Sequence, residues 1–385
     1  MESNRPKIKL LVWGHGSGLV GGGQRDLTDF LHFVAGQRSI EILGAFAVGS
    51  QNSTHEKLCS NYVLHNGAQF PICYAAVFNY FAYWIFAVKQ ILQTRAFIRR
   101  HCPDGILFFS SALLMPFVWS LSFRVKRYLF VRELITPPWI RKLVYRTLYK
   151  RADLIFTVSD FLKEEIEKLD LGRQIHTIYS LPTIENNLPR TASRNPGEEF
   201  RIACIGGISV VKGQLKLIKA CHQLAMADRI ALHFYGPIQT HRAEYAYFKK
   251  IKRFERQCKP RMKLIFHGTV AHEQLMSELQ AFDLVAIPSE NEGLSIILLE
   301  AMLLRLPVVA SRIGEIQRII RHEHNGLLFE RSDISDLAQC IERMIQDPVI
   351  YNRVKNNLGT LPAYLGTREK NLGILLETIA SSMIN

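Results

Sequence analysis

Pro288-Ser289-Glu290-Asn291-Glu292-Gly293-Leu294-Ser295-Ile296-Ile297-Leu298-Leu299-Glu300-Ala301-Met302 stands between a short apolar run, Asp283 to Pro288, and an apolar helical pattern. It carries two carboxylates, Glu292 and Glu300, with seven residues between them. The run before it reads as a buried strand and the run after it as a helix. Glu292 is therefore expected in the connecting loop, and Glu300 between one and two turns into the helix. In an open parallel sheet such loops lie at the carboxyl ends of the strands, where ligands bind. The free N–H groups at the start of the helix suit a diphosphate. A carboxylate repels phosphate, so Glu292 and Glu300 suit the hydroxyls of a ribose or a sugar. The alternative is plain: two glutamates flanking an apolar run are also common at solvated helix ends, where Glu near the start is mildly stabilising.

The same alternation extends in both directions. Strands are predicted at Lys9–Gly14, Ile40–Val48, Ile106–Ser110, Tyr128–Glu133, Leu154–Ser159 and His176–Tyr179. A second series follows at Arg201–Gly206, Ala231–Gly236, Lys263–Gly268, Leu284–Ser289, Pro307–Ser311 and Leu327–Glu330. Helix-length segments separate the strands, which implies an α/β class with doubly wound parallel sheets. Between the two series, residues 186–199 are polar and rich in turn formers (Asn186-Asn187, Pro189, Asn195-Pro196-Gly197) and read as a linker. The chain thus divides into two Rossmann-like domains facing a cleft, 1–185 and 200–369. A last helical stretch, 370–385, is apolar at Leu372, Leu375, Leu376 and Ile379.

A chain of 385 residues suffices for two cores at about 150 residues each. The seven cysteines are odd in number and scattered, with no zinc-like spacing, and suit a reduced cytosolic chain. Met1–Pro6 is polar and leads straight into a strand, so no signal peptide is expected. The net charge of +14 suits nucleic acid, an anionic membrane surface or no specific partner. Basic clusters lie at Arg95–His101, Arg124–Arg127, Arg141–Arg151 and Lys249–Lys263, three of them in the first half among apolar and aromatic runs. That mixture favours the face of an anionic membrane. No RNP, helix-turn-helix or zinc-finger pattern supports nucleic acid. Phe70–Val88 is free of charge, yet Tyr74, Asn79, Tyr80 and Tyr83 interrupt it, which suits an interface or a half-buried helix better than a membrane span.

Three further stretches could carry chemistry. The first predicted strand runs into Gly14-His15-Gly16-Ser17-Gly18-Leu19-Val20-Gly21-Gly22-Gly23-Gln24-Arg25, where glycines allow close approach to a ligand. The second series opens with Ile205-Gly206-Gly207-Ile208-Ser209-Val210-Val211-Lys212-Gly213-Gln214. In the first series, Phe130-Val131-Arg132-Glu133 closes an apolar strand with a charged pair, either a structural ion pair or a site element. His267 ends another strand and reads as a structural histidine.

Pro288-Ser289, Glu292-Gly293-Leu294-Ser295, Glu300-Ala301-Met302 and Pro307-Val308-Val309-Ala310-Ser311 resemble the E-x7-E signature of retaining glycosyltransferases of the GT-B fold, family 4 or group 1. The resemblance implies catalytic roles for Glu292, Lys212 and Arg132. It implies donor binding by Gly22, Gly23, Arg25, Gly207, Gly293, Leu294, Ser295, Ile296 and Glu300. Lys212-Gly213 matches the family's diphosphate clamp, but Gly207 stands at the Arg position of that clamp; Arg25 and Arg132 are the candidates to supply the missing charge. Many relatives carry a histidine where Arg132-Glu133 stands. Glu300 would hold the ribose, and Glu292 the donor sugar. The segment 370–385 would pack back on the first domain. No D-x-D pair ends a strand, so neither a metal nor a cofactor is expected. Implied partners are a nucleotide sugar and a saccharide acceptor, expected to be lipid-linked, with the enzyme cytosolic and peripheral at the inner membrane face. The rival readings are a non-catalytic GT-B protein, which Gly207 motivates, and a nucleic-acid-binding protein, which only the net charge motivates.

Overall fold

Strands that carry nearly continuous apolar runs need cover on both faces, and parallel sheets provide it. The computed structural model describes residues 7–14, 22–37, 39–47, 57–65, 92–110, 117–118, 120–133, 145–147, 149–182, 199–238 and 242–384. It divides into two compact units, Met1–Ser180 with Gly366–Asn385, and Leu181–Leu365. Phe70–Val88 and nearly all of the expected linker lie outside the described residues.

The first unit holds a parallel sheet of order β3-β2-β1-β4-β5-β6-β7. Its strands are β1 (Ile8–Gly14), β2 (Ile40–Ala47), β3 (Asn61–His65), β4 (Gly105–Phe108), β5 (Lys126–Val131), β6 (Leu154–Thr157) and β7 (Ile175–Thr177). Six of them answer to predicted strands. The seventh, β3, is not among them: it is a short edge strand that opens with the exposed Asn61 and Tyr62, so it does not begin as a buried apolar run. Helix α1 (Gly22–Ala35) follows β1 and buries Leu27, Phe30, Leu31 and Val34. The core centres on aromatic residues: Trp13 stacks on Phe108 with ring centroids 6.0 Å apart, and Tyr145 on Tyr149 at 4.1 Å.

The second unit repeats the plan with six parallel strands in the order β10-β9-β8-β11-β12-β13. These are β8 (Phe200–Ile205), β9 (Ile230–Tyr235), β10 (Lys263–Gly268), β11 (Leu284–Ile287), β12 (Val308–Ser311) and β13 (Leu327–Phe329). The helices used below are α2 (Gln214–His222), α3 (Arg242–Cys258), α4 (His272–Leu279) and α5 (Ile296–Leu303). Each sheet turns back at its first strand, β1 or β8, so a strand-order reversal falls beside β4 in one unit and β11 in the other. Ligands of doubly wound sheets bind at such reversals.

The last helix, α6 (Arg368–Ile384), belongs to the first unit. Leu375, Leu376 and Ile379 are buried, and Ser382 Oγ lies 2.7 Å from the Tyr128 hydroxyl. Burial pushes that phenol up to about 12. Asn371 Oδ1 accepts from the Tyr179 backbone N–H at 2.9 Å, and Arg368 reaches Asp29 of α1 at 2.7 Å. Among the described residues no helix is long and apolar enough to cross a membrane. Truncating a fully buried leucine leaves a cavity that costs about 2–5 kcal/mol. Leu375→Ala is accordingly expected to move the unfolding transition of the first unit to lower urea by that amount, while the exposed Ile374→Ala stays within about 0.5 kcal/mol.

Candidate functional site

The second unit gathers its polar side chains where β8 and β11 end. After β8 the backbone passes Gly206 and Gly207 and enters a single 3₁₀ turn, Val210–Lys212. Ser209 caps that turn, its side chain accepting from the Lys212 N–H. Gly213 then adopts φ +71°, and α2 begins. A Cβ on Gly213 would lie 2.0 Å from the Pro288 carbonyl oxygen, so no larger residue fits without displacing the loop after β11. The Glu290 N–H donates to Val211 O at 2.7 Å and ties the two loops together. Gly236, after β9, is as tightly placed: its Cβ would come within 2.3 Å of the Gly206 carbonyl oxygen.

This close approach brings Lys212 and Glu292 together. Lys212 Nζ lies 2.6 Å from Glu292 Oε1, and Ser289 Oγ donates to the same oxygen at 2.7 Å. The Glu292 side chain is 11% exposed, so its charge is held in place with a limited opening to solvent. A second pair sits alongside. Lys216 Nζ is 2.6 Å from Glu290 Oε1, close enough for an ion pair though without hydrogen-bond geometry, and Ser332 Oγ donates to Glu290 Oε2 at 2.9 Å.

The loop then runs through Gly293 and Leu294 to Ser295, which stands at the start of α5. Ser295 is 3% exposed, and its Oγ has no hydrogen-bond partner among the described residues. Ile296 is the first residue of α5 and is half-buried. Glu300 lies in the second turn of that helix and is 4% exposed. His272, at the start of α4, approaches its carboxylate, with Nε2 3.6 Å from Oε1. The loop after β11 and its helix therefore offer the carboxylates of Glu292 and Glu300 and a helix start, and the loop after β8 adds the Lys212 ammonium.

The residues expected in the first domain fall in the first unit. Gly22 and Gly23 are the first two residues of α1, and Arg25 follows in its first turn; residues 15–21 lie outside the described residues. Arg132, just past β5, pairs with Asp26 of α1. Its guanidinium lies over the rings of Phe109 and Phe130, 5.6 and 5.9 Å from their centroids. Both members of the pair are mostly buried, which favours the structural reading of Arg132 left open by the sequence. His267 is likewise engaged: it stacks on Tyr235 at 4.1 Å and meets His233 Nδ1 at 3.0 Å. Burial, and then His267, hold His233 down to about 4.

Residues 185–358 match the family described as glycosyl transferases group 1, a stretch that takes in nearly all of the second unit. The second unit belongs to the group 1 glycosyl transferases. An uncharacterized glycosyltransferase of Methanocaldococcus jannaschii is 26% identical over 67% of this chain and 68% of its own. The sulfoquinovosyl transferase of Arabidopsis thaliana is 27% identical over 63% of this chain and 48% of its own. The alpha-D-kanosaminyltransferase of Streptomyces kanamyceticus is 30% identical over 27% of each. Several of the curated relatives are thus matched over less than half of their length. Among solved structures, Anabaena HepE in complex with UDP and glucose superposes with TM-score 0.75 over 97% of this chain and 100% of its own, at 21% identity. Sucrose-phosphate synthase from Thermosynechococcus elongatus does so with TM-score 0.73 over 98% and 97%, at 18% identity. These likenesses show the fold, GT-B, in which both units are Rossmann-like.

Two residues of this glycosyl transferase unit had no role in the sequence reading. Gln214 is fully buried; its Nε2 donates to Gly207 O at 3.1 Å and its Oε1 accepts from the Ser209 N–H at 3.3 Å. It braces the loop that carries Lys212, and its adjacency to Lys212-Gly213 was the available signal. His272 is the other. Nothing in the sequence links it to Glu300, because the contact joins the start of α4 to the second turn of α5, helices that succeed different strands.

The tightness at Gly213 is testable against Gly268, which has φ +69° but no atom within 4 Å of the place a Cβ would take. Both alanine variants bear the left-handed cost of about 1–2 kcal/mol. Only Gly213→Ala must also displace Pro288. It is expected to destabilise the second unit by clearly more than Gly268→Ala in urea unfolding; equal losses would refute the contact.

Proposed function

We propose that the chain moves a sugar from a nucleotide-diphosphate donor to a saccharide acceptor with retention of anomeric configuration. The observation that carries this reading is the pairing of Lys212 with Glu292 at the carboxyl ends of β8 and β11, one loop away from the buried Glu300. The family of the second unit supports it, as does HepE, which has been solved with UDP-glucose.

The chemistry follows from charge. As the bond between the sugar and the diphosphate breaks, negative charge grows on the leaving phosphate and positive charge on the sugar. Lys212 is suited to the first, and so are the N–H groups at the start of α5 beside Ser295, through donors already aimed before the reaction. Glu292 is suited to hold the donor sugar's hydroxyls and to face its developing positive charge. Glu300, further into α5, is suited to the ribose hydroxyls. Gly293, Leu294 and Ile296 shape the turn between them, and Gly207 leaves room where a side chain would otherwise stand. In this reading the leaving group is met by protein cations and backbone dipoles, with no metal or cofactor taking part. The acceptor oxygen bonds the anomeric carbon from the face the diphosphate leaves and passes its proton to the departing phosphate oxygen, which retains configuration.

The acceptor is read as a lipid-linked saccharide in surface-polysaccharide or glycoconjugate assembly, with the enzyme cytosolic and held peripherally at the inner membrane face. Net charge +14 and the basic clusters support this. Gly207, in place of the family Arg, supports a second reading: a GT-B protein that binds a nucleotide sugar without turning it over.

Thermal shift with a panel of UDP-, GDP- and ADP-sugars tests the donor site. One base is expected to raise the unfolding midpoint of the wild type and to do so no longer in Glu300→Ala. Glu292→Gln and Lys212→Ala are expected to lower kcat by about 10²–10³, the range found for removing one group that meets transition-state charge. Proton NMR of the product should show the donor's anomeric configuration. Binding without turnover would select the second reading, and no shift at millimolar ligand would refute both.

A further inference from the structure

Helix α3 (Arg242–Cys258) has no part in the site, yet it carries the densest positive charge in the second unit. Tyr247 and Ile251 are its buried side, and the Tyr247 hydroxyl accepts from the Leu215 N–H at 2.9 Å, fixing the helix against the first turn of α2. Opposite them, Tyr245, Lys249, Arg253 and Arg256 are exposed. At about 100° per residue these four fall within roughly 80° of one another, a single stripe along the helix. Lys250 lies at one margin of the stripe, and Lys259 continues it beyond the helix; both are exposed. The two acids of the helix, Glu244 and Glu255, lie off the stripe on the other margin, where Lys252 holds Glu255 at 2.8 Å. A helix of 17 residues is about 25 Å long.

We propose that this face of α3 docks the chain on an anionic lipid surface. The inference rests on the membrane attachment proposed above and assigns it to a surface, one in the second unit. Charge complementarity is the main argument. Each Lys or Arg held near an anionic bilayer strengthens binding by about fivefold. The placement of Tyr245 is the second argument. It is 46% exposed at the amino end of the stripe, with Lys249 Nζ 4.6 Å from its ring centroid. Amphipathic rings of this kind settle at headgroup level. Ile238, 37% exposed in the segment before the helix, adds apolar surface on the same connection. Single-stranded nucleic acid would ask for a groove with a row of aromatic platforms for successive bases. The stripe has one ring, at its end.

Co-sedimentation of the full chain with vesicles tests this, comparing phosphatidylcholine alone with phosphatidylcholine carrying about one third phosphatidylglycerol, the anionic lipid whose charge the stripe would meet. The wild type is expected to pellet only with the anionic vesicles and to be released by about 0.5 M salt, where screening is strong. A variant with Lys249→Gln, Lys250→Gln, Arg253→Gln and Arg256→Gln is expected to bind more than about a hundredfold more weakly. Its unfolding midpoint should match the wild type; if it does not, the pair Lys249→Gln and Arg253→Gln replaces it, with a loss of about twentyfold. A control with Arg99→Gln, Arg100→Gln and Arg124→Gln, exposed in the first unit, should bind nearly as well as the wild type. Full binding by the α3 variant would overturn the assignment while leaving membrane attachment standing. Failure of the wild type to bind anionic vesicles would overturn both. Tighter, salt-sensitive binding of the same stripe to single-stranded DNA than to vesicles would overturn the lipid partner.

Discussion

Everything at the candidate site depends on how closely two loops can approach. Gly213 faces the Pro288 carbonyl across a gap in which a methyl group would sit 2.0 Å from the oxygen. Because no Cβ intervenes, the Lys212 side chain can meet Glu292 directly, and the Glu290 N–H can bond Val211 O. The sheet sets the scale of this approach. Strands β8 and β11 are hydrogen-bonded neighbours, as Leu284 pairs with Ile202 and Val285 with Ala203, so the loops that follow them leave the sheet side by side. Gln214, buried behind the first loop, donates to the Gly207 carbonyl and accepts from the Ser209 N–H, bracing the turn that carries Lys212. The ion pair thus depends on backbone packing, a constraint stiffer than a side-chain rotamer.

Much of this was legible from residue order because buried parallel strands announce themselves. Leu284–Ile287 and Val308–Ser311 are buried at every position, so an apolar run bounded by Asp283 or Pro307 could only be a central strand. The carboxylates could then be placed by counting, Glu292 in the loop and Glu300 in the second turn of the helix. Edge strands resisted the same treatment. Among the described residues Asn61–His65 pairs with β2 alone and exposes Tyr62, and its sequence mixes polar and apolar residues and resembles a loop. Contacts between distant segments were invisible for a different reason. His272 beside Glu300, and Asp26 beside Arg132, join helices and strands whose spatial order comes from sheet topology, and no local period encodes that order. Arg132 shows the consequence: read locally it was an open choice, and its partner across the unit weights it toward structure.

Charge placement separates the two functions argued for this chain. In the glycosyl transferase unit the site's lysines are paired, Lys212 with Glu292 and Lys216 with Glu290, so these four side chains together contribute little net charge. The excess that makes the chain +14 is elsewhere, and α3 shows where part of it collects, on a face that turns away from its buried Tyr247 and Ile251. Such a division is physically sensible. An unpaired lysine cluster in the site would draw any phosphate, whereas the same charges on an outer helix raise attraction to an anionic surface without altering which ligand the site accepts.

The paired state of Lys212 also bears on Gly207. A diphosphate brings negative charge that two clamp cations would ordinarily meet, and this chain lacks an arginine at the second position. With Glu292 already neutralising Lys212, a phosphate alone gains little there, since it must take the ammonium from a carboxylate and leave that carboxylate without its cation. A nucleotide sugar changes the balance. Its sugar hydroxyls can donate to Glu292 while its phosphate accepts from Lys212, so each charge exchanges one partner for another and neither is left buried and alone. On the proposed reading, donor recognition is therefore conditional on the sugar being attached. The nucleoside diphosphate product, lacking the hydroxyls that satisfy Glu292, should be held less well than the intact donor. The glycine that removes a cation would then favour product release as much as it weakens the clamp.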